Sequence, residues 1–148
     1  MLLQTLQPLF RRDLERLYTE IEAYQKEANH WLVDKQIANS AGNLCLHLAG
    51  NLNTYIGKEL GGTHYVRNRE LEFSQKNVPR PELLQKITET MEVVEKALAK
   101  LTPEQLQEEY PLQVYEKKMP TGSFLIYLAT HLSYHLGQIT YHRRLLDT

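Results

Sequence analysis

The sequence predicts an all-α protein built as a four-helix bundle. Apolar residues recur at three- and four-residue spacing in four separate segments, which is the period of a helix with one buried face. No set of segments favours a sheet instead. Helices that are each apolar on one side must bury those sides against one another, and a bundle does so. With 148 residues, the chain is expected to form one domain, residues 1–148, whose core needs no disulfide.

The first predicted helix covers residues 8 to 29. Pro8 falls in its first turn, where proline is tolerated because the missing N–H would have no partner within the helix. The predicted buried face of this helix consists of Phe10, Leu14, Leu17, Ile21, Tyr24 and Ala28.

The second predicted helix covers residues 38 to 60. Asn39 and Ser40 are candidate caps at its start, and Gly61 and Gly62 end the pattern. Cys45, the only cysteine, lies on the apolar face and is therefore predicted to be a buried structural thiol rather than a nucleophile. That face consists of Ile37, Ala41, Leu44, Cys45, Leu48, Leu52, Tyr55 and Ile56.

The third and fourth predicted helices cover residues 81 to 100 and 122 to 146. Pro81 suits the first turn of the third helix, and Thr121, after Pro120, is a candidate N-cap of the fourth. The apolar faces consist of Leu84, Ile87, Met91, Val94, Leu98 and Leu101 in the third helix and Phe124, Leu128, Leu132, Leu136, Ile139 and Leu146 in the fourth.

The links before the third and fourth helices, residues 61–80 and 102–120, are long. Long links in a compact bundle are often functional segments or crossovers. Within the second link, residues 102–105 have the cap and proline of a short helical turn, and residues 110–115 are predicted to be extended.

Charge and hydropathy exclude several classes of protein. Seventeen Lys and Arg residues balance 18 Asp and Glu residues, and no run of like charge is long enough to follow a phosphate backbone. No apolar run approaches the ~20 residues that a membrane helix needs, and residues 1–8 lack the basic start and apolar core of a signal peptide. We therefore expect a cytoplasmic protein with no nucleic-acid or membrane partner.

Three of the six histidines form a candidate metal site. His131 and His135 are four residues apart and so neighbours on one helix face, where they could share one ion. His47 lies at the border of the apolar face of the second predicted helix and could supply a third nitrogen if the two helices are adjacent. A divalent metal would satisfy buried imidazoles and keep one coordination position open.

The other three histidines are expected to lie outside this site. His142 is seven residues beyond His135, roughly 10 Å along the helix, so it is expected to support a ligand, to face solvent or to pack. His30 and His64 are expected to be structural residues with hydrogen bonds of their own.

Other metal and nucleotide motifs do not fit the sequence. A zincin helix needs glutamate directly after its first histidine, but position 132 is leucine. A di-iron bundle needs two Glu-x-x-His pairs, and the chain offers only Glu27 with His30. Gly61 and Gly62 lack the strand and lysine of a phosphate-binding loop.

Two segments resemble a known family. Residues 39–52, Asn-Ser-Ala-Gly-Asn-Leu-Cys-Leu-His-Leu-Ala-Gly-Asn-Leu, and residues 129–139, Ala-Thr-His-Leu-Ser-Tyr-His-Leu-Gly-Gln-Ile, are similar to the DinB-like superfamily, which includes YfiT-like metal-dependent hydrolases and thiol transferases. The resemblance implies a bundle with up-down-down-up connectivity, homodimers, and nickel or zinc bound by His47, His131 and His135.

The resemblance also implies chemistry with a low-molecular-weight thiol cosubstrate, such as bacillithiol or mycothiol, in some relatives. The chain lacks the extra domain of the thiol-dependent isomerases, so their reaction is not carried over to it. Many relatives have no known substrate.

The residues near the histidines leave two reactions open. A metal with three imidazole ligands can lower the pKa of bound water to about 7, or deprotonate a coordinated thiol. The helical turns around the histidines supply Asn51, Tyr134 and Gln138 but no carboxylate to act as a general base. Glu20 and Glu27 of the first helix remain candidate bases, and thiol transfer fits the site slightly better than hydrolysis.

Three functional interpretations follow. The leading one is a metal-dependent transferase or hydrolase acting on a small molecule. The alternative is a non-enzymatic protein that uses the same histidines for structure, sensing or assembly. A third has the histidines as hydrogen-bonding core residues without metal. Arg67, Arg69 and Arg80 either bind an anionic substrate or are solvated.

Overall fold

The computed structural model describes residues 1–148 and is all-helical, with six α-helices and no strands. The helices are α1 Leu2–Ala23, α2 Ala41–Leu52, α3 Arg69–Ser74, α4 Arg80–Ala99, α5 Pro103–Gln107 and α6 Thr121–Leu146. A 3-10 helix, Glu27–Trp31, lies between α1 and α2, and a π-helix, Asn53–Lys58, continues directly from α2. No helix is both long enough and apolar enough to cross a membrane.

Helix α1 differs from the prediction at both ends. It begins at Leu2, so Pro8 lies inside the helix and not in its first turn. Leu3 and Leu6 are buried, and their burial compensates for the hydrogen bond that Pro8 cannot donate. The helix ends at Ala23 because Tyr24 leaves the helical conformation. The buried hydroxyl of Tyr24 lies 2.7 Å from His142 Nδ1.

Helix α2 and the π-helix that continues it together begin and end within three residues of the bounds predicted for the second helix. Ser40 is the N-cap, and its hydroxyl accepts a hydrogen bond from the backbone N–H of Asn43. The helical conformation ends after Lys58, and Gly62 takes a left-handed conformation with φ of 70° that glycine adopts without strain. Cys45 is completely buried, as predicted, and burial raises the pKa of its thiol to about 12.

Helices α4 and α6 lie within one residue of their predicted bounds. Thr121 is the first residue of α6 rather than its cap, and its hydroxyl donates to the carbonyl of Glu108. This hydrogen bond holds the preceding link against the start of α6.

Each long link contains a short helix. Helix α3 lies in the first link, and α5 begins with the predicted cap, in which Thr102 and Gln105 exchange hydrogen bonds. Residues 110–115, predicted to be extended, form no strand but bends and irregular backbone, and an isolated bridge joins the flanking residues Glu109 and Pro120.

The core lies between the four long helices. Helix α1 packs against α4 and α6, and α2 packs against the same two helices. Arg11 of α1 contacts Glu95 of α4, and Glu20 of α1 contacts Arg143 of α6. The contact of α2 with α6 places His47 opposite the histidines of the last helix.

Candidate metal site

The structure brings His47, His131 and His135 together. One ligand nitrogen from each of the three lies within 4.8 Å of the others, a geometry that could hold a metal ion. The Nε2 atoms of His47 and His131 are 3.2 Å apart. Around a tetrahedral ion with metal–nitrogen distances of about 2.0–2.1 Å, neighbouring nitrogens would be about 3.3 Å apart. The spacing of these two nitrogens therefore fits a shared ion.

Hydrogen bonds at the opposite ring atoms orient two of these imidazoles. His47 Nδ1 lies 3.0 Å from Glu72 Oε1, and His135 Nδ1 lies 2.7 Å from Gln138 Oε1. Each oxygen accepts the Nδ1 proton of its histidine, so in the neutral rings the Nε2 lone pair is available as a ligand.

His131 has no such partner. Its Nδ1 is buried without a hydrogen bond, and its Nε2 faces the Nε2 of His47. If both Nε2 atoms carry lone pairs, they repel each other unless a cation lies between them. A divalent metal removes this conflict, so the donor set fits such an ion.

Burial keeps the histidines of α6 neutral. Burial, as the largest cause, and the nearby charges of His135, His47, Arg67 and Arg69 together lower the pKa of His131 to about 4. Burial also lowers the pKa of His135, although the hydrogen bond with Gln138 opposes the change. Neutral imidazoles are the form that binds metal, so little proton release would accompany binding at these residues near pH 7.

Glu72, a carboxylate in contact with His47, could not be predicted from the sequence. Glu72 lies on α3 and is 6% exposed. Arg67 forms a two-pronged ion pair with it, from Nε to Oε2 at 2.9 Å and from Nη2 to Oε1 at 3.0 Å. Phe73 packs its ring 4.8 Å from that of His47. The one feature of the sequence that pointed to this region was the length of the link at residues 61–80. No periodic pattern in that link predicts that α3 packs against α2.

The candidate bases from the first predicted helix lie elsewhere, Glu20 in α1 and Glu27 in the 3-10 helix. Glu20 pairs with Arg143, and Glu27 accepts a hydrogen bond from the backbone N–H of Arg80. Arg80 itself donates to the carbonyl of Tyr24. None of these residues contacts the three histidines, so the expectation of a base from helix one is not met.

The remaining histidines fill structural roles or lie at the surface. His142 packs, one of its three expected roles, with Nε2 2.9 Å from the carbonyl of Leu32 and Nδ1 beside Tyr24. His30 is completely buried and bonds to the carbonyl of Ile21, as expected of a structural residue. His64 is exposed.

Fold and site together define an all-helical protein with a three-histidine site that could hold a metal ion. A family model described as "Protein of unknown function (DUF1572)" matches residues 2–148. The chain therefore belongs to this family. Comparison with curated proteins finds no match.

Proposed function

We propose that the protein binds a divalent metal ion, nickel or zinc, through His47, His131 and His135 and is a metal-dependent enzyme of small molecules. The observation that carries this proposal is the convergence of three ligand nitrogens from α2 and α6 within 4.8 Å. When bound, the ion would acidify a thiol or a water molecule beside it.

Thiol transfer is the reaction that the neighbouring residues favour. Hydrolysis usually needs a free general base, whereas a thiol held by a metal ion would release its proton to solvent and become a nucleophile without one. Glu72 is the carboxylate in contact with His47, and both of its oxygens already accept hydrogen bonds from Arg67 or His47. The side chain is thus occupied, and a thiol S-transferase is preferred to a hydrolase.

A cavity that reaches Gln138, the hydrogen-bond partner of His135, supports a small-molecule substrate; the three histidines themselves do not line it. Its volume is about 360 Å³, and Gln138 both lines it and hydrogen-bonds to His135. The other lining residues include no Asp, Glu, Lys or Arg, and most of them are apolar or aromatic, including Ile37, Leu44, Tyr141 and Leu145. Such a cavity suits the uncharged part of a small electrophile or thiol.

The activity test uses metal-loaded protein with a low-molecular-weight thiol and a panel of electrophiles and esters. We expect thiol-dependent consumption of an electrophile that His131→Ala abolishes while the circular dichroism spectrum persists. His64→Ala is the matched control, because His64 is an exposed histidine outside the site. Ester cleavage without thiol would favour the hydrolase.

The alternative is a non-enzymatic bundle in which the same site binds metal or ligand for structure or sensing. The observation that favours it is the lack of a free carboxylate beside the histidines, since Glu72 is engaged by Arg67. Stoichiometric metal binding with no turnover across both substrate panels would support this alternative.

We also propose the up-down-down-up connectivity and DinB-like superfamily membership that the resemblance implies, together with a cytoplasmic location. The order of contacts supports the connectivity. Leu2 lies near Gly122 and Glu20 near Arg143, so α1 and α6 run in the same direction. Asn53 bonds to Thr90, and Gly57 lies near Val93. The π-helix after α2 therefore runs in the same direction as α4.

A homodimer that packs through α6 is part of the same proposal. Residues 121–142 contain no Asp, Glu, Lys or Arg, and Tyr127, Tyr134 and Tyr141 are exposed at seven-residue spacing. Two copies of such a face can meet without desolvating a charge, and tyrosine is enriched in interfaces. Sedimentation should give a dimer that Tyr134→Glu converts to a monomer; a wild-type monomer would contradict the proposal.

A further inference from the structure

Glu72 is a buried carboxylate whose contacts all converge on His47 and Arg67. Oε1 lies 3.0 Å from His47 Nδ1 and 3.0 Å from Arg67 Nη2, and Oε2 lies 2.9 Å from Arg67 Nε. Arg67 Nη2 is also 3.4 Å from His47 Nδ1, but this contact is longer than the contact of either group with the carboxylate. The carboxylate is therefore the acceptor for both groups, and His47 carries its proton on Nδ1.

The backbone of Glu72 is fixed to α2 independently of its side chain. Asn43 donates its amide protons to the carbonyls of Glu72 and Gln75, each at 2.8 Å. Asn68 caps the start of α3 by accepting from the backbone N–H of Leu71. Asn43 thus holds the middle and the end of α3 against the helix that carries His47, and Asn68 stabilises the start of the short helix itself.

Gly50 provides the space that the carboxylate occupies. It lies on α2, three residues after His47, on a buried surface. A Cβ at this position would lie 1.8 Å from Oε2 of Glu72 and 2.6 Å from its Cδ, which is a direct overlap. A side chain at position 50 would therefore displace the carboxylate from its place beside His47.

We propose that Glu72 is a positioning residue for metal binding, held by Arg67 and given room by Gly50. By accepting the Nδ1 proton of His47, it fixes the ring orientation and the tautomer that presents Nε2 to His131 and His135. A carboxylate that orients a histidine ligand in this way raises the affinity of a site for its ion. The inference rests on the proposed function, because it assigns a role within the same metal site.

The charge state of Glu72 is consistent with this role. Burial raises the pKa of Glu72, but the hydrogen bonds from His47 and Arg67 and the charge of Arg67 outweigh burial, so its pKa falls below the ordinary value. An ionised carboxylate can only accept hydrogen bonds. Burial lowers the pKa of Arg67, but the ion pair with Glu72 outweighs burial and raises the pKa above its ordinary value.

The first test measures zinc affinity by competition with a chelating dye. Glu72→Ala should weaken zinc binding by about 10–100-fold, the range found when such a partner of a histidine ligand is removed. Glu72→Gln should weaken it less, because the amide oxygen can still accept the Nδ1 proton. Glu70→Ala, an exposed glutamate on the same helix, is the control and should leave the affinity unchanged.

The second test uses Gly50→Ala, alone and combined with Glu72→Ala. Because the added methyl group overlaps the carboxylate, Gly50→Ala should weaken zinc binding in the natural chain. In the Glu72→Ala background the carboxylate is gone, so the same substitution should cost almost nothing more. An equal loss in both backgrounds would overturn the proposal, because Gly50 would then act by another route.

A metal-free measurement separates this inference from the proposed function. Nitrogen-15 NMR of the apo protein should show His47 protonated at Nδ1 in the natural chain and a loss of that preference in Glu72→Ala. If the natural chain binds no zinc while this tautomer shift is seen, the metal function fails but the hold of Glu72 on His47 stands. If zinc binds and neither affinity nor tautomer changes in Glu72→Ala, the inference alone is overturned.

Discussion

His131 shows at the level of one residue why a metal explains the site better than hydrogen bonding does. His47 and His135 each have an acceptor for Nδ1, but the buried Nδ1 of His131 has no partner. In the interpretation without metal, a neutral ring can donate from only one nitrogen, so His131 leaves either an unpaired donor or an unpaired acceptor. A bound ion takes Nε2 as a ligand and replaces the close contact between the Nε2 atoms of His131 and His47 with bonds to a shared cation, while Nδ1 is unpaired with or without the ion.

His30 gives a prediction about pH. Burial lowers the pKa of His30, and although the hydrogen bond to the carbonyl of Ile21 opposes the shift, the charge of Arg80 adds to it. Tyr24, Glu27 and Asp147 are the other titratable groups that act on the ring. The pKa of His30 in the folded chain lies below the ordinary 6.5 that it has in the unfolded chain. As pH falls below 6.5, the unfolded chain therefore binds more protons than the folded chain. The stability contributed by His30 is thus complete above pH 6.5 and is lost as pH falls.

The measurement is the free energy of unfolding in urea at pH 7 and pH 5. The natural chain should lose more stability between these values than His30→Gln, whose amide can still donate to Ile21 without titrating. His64→Gln, at an exposed position, should keep the natural pH dependence. Equal losses for the natural chain and His30→Gln would show that His30 does not contribute.

Among the elements, α3 is the one that sequence patterns could not place. His131 and His135 were predictable because four-residue spacing puts them on one helix face, and His47 because it borders an apolar face. Glu72 was not, since its position depends on the docking of a six-residue helix through Asn43. The start of α1 was placed wrongly for a related reason: a local rule about Pro8 gave way to burial in the core.

Asn43 provides a prediction about this element. Asn43→Ala removes the hydrogen bonds to the carbonyls of Glu72 in α3 and of Gln75 directly after it, and leaves the buried carbonyl of Glu72 without its donor. We expect a loss of about 1–3 kcal/mol in the free energy of unfolding. Hydrogen exchange at residues 69–75 should accelerate more than exchange in α4.

Gln85→Ala is the control for Asn43, because it removes an exposed side chain of α4 that pairs only with Glu89. It should change stability by less than about 0.5 kcal/mol. If Asn43→Ala accelerates exchange equally throughout the chain, α3 is not held locally by this residue.

For the whole molecule, the site joins α2 to α6, which are far apart in sequence. An ion bound only by the folded chain must stabilise it, by about 2.7 kcal/mol at a concentration 100 times the dissociation constant. For a chain of this length we expect the unfolding midpoint to rise by roughly 5–10 °C with zinc. Calorimetry of the natural chain and of His135→Ala measures this effect, and an equal rise in both would place the ion elsewhere.

The central claim is that one ion is shared by three imidazoles from two helices. Elemental analysis of protein purified without an affinity tag, combined with X-ray absorption of the metal, tests it most directly. The account predicts about one nickel or zinc per chain with three imidazole ligands, and loss of the metal in His47→Ala with the helical spectrum retained. A natural chain without metal that also fails to take up either ion would contradict the account, as would full metal content in His47→Ala.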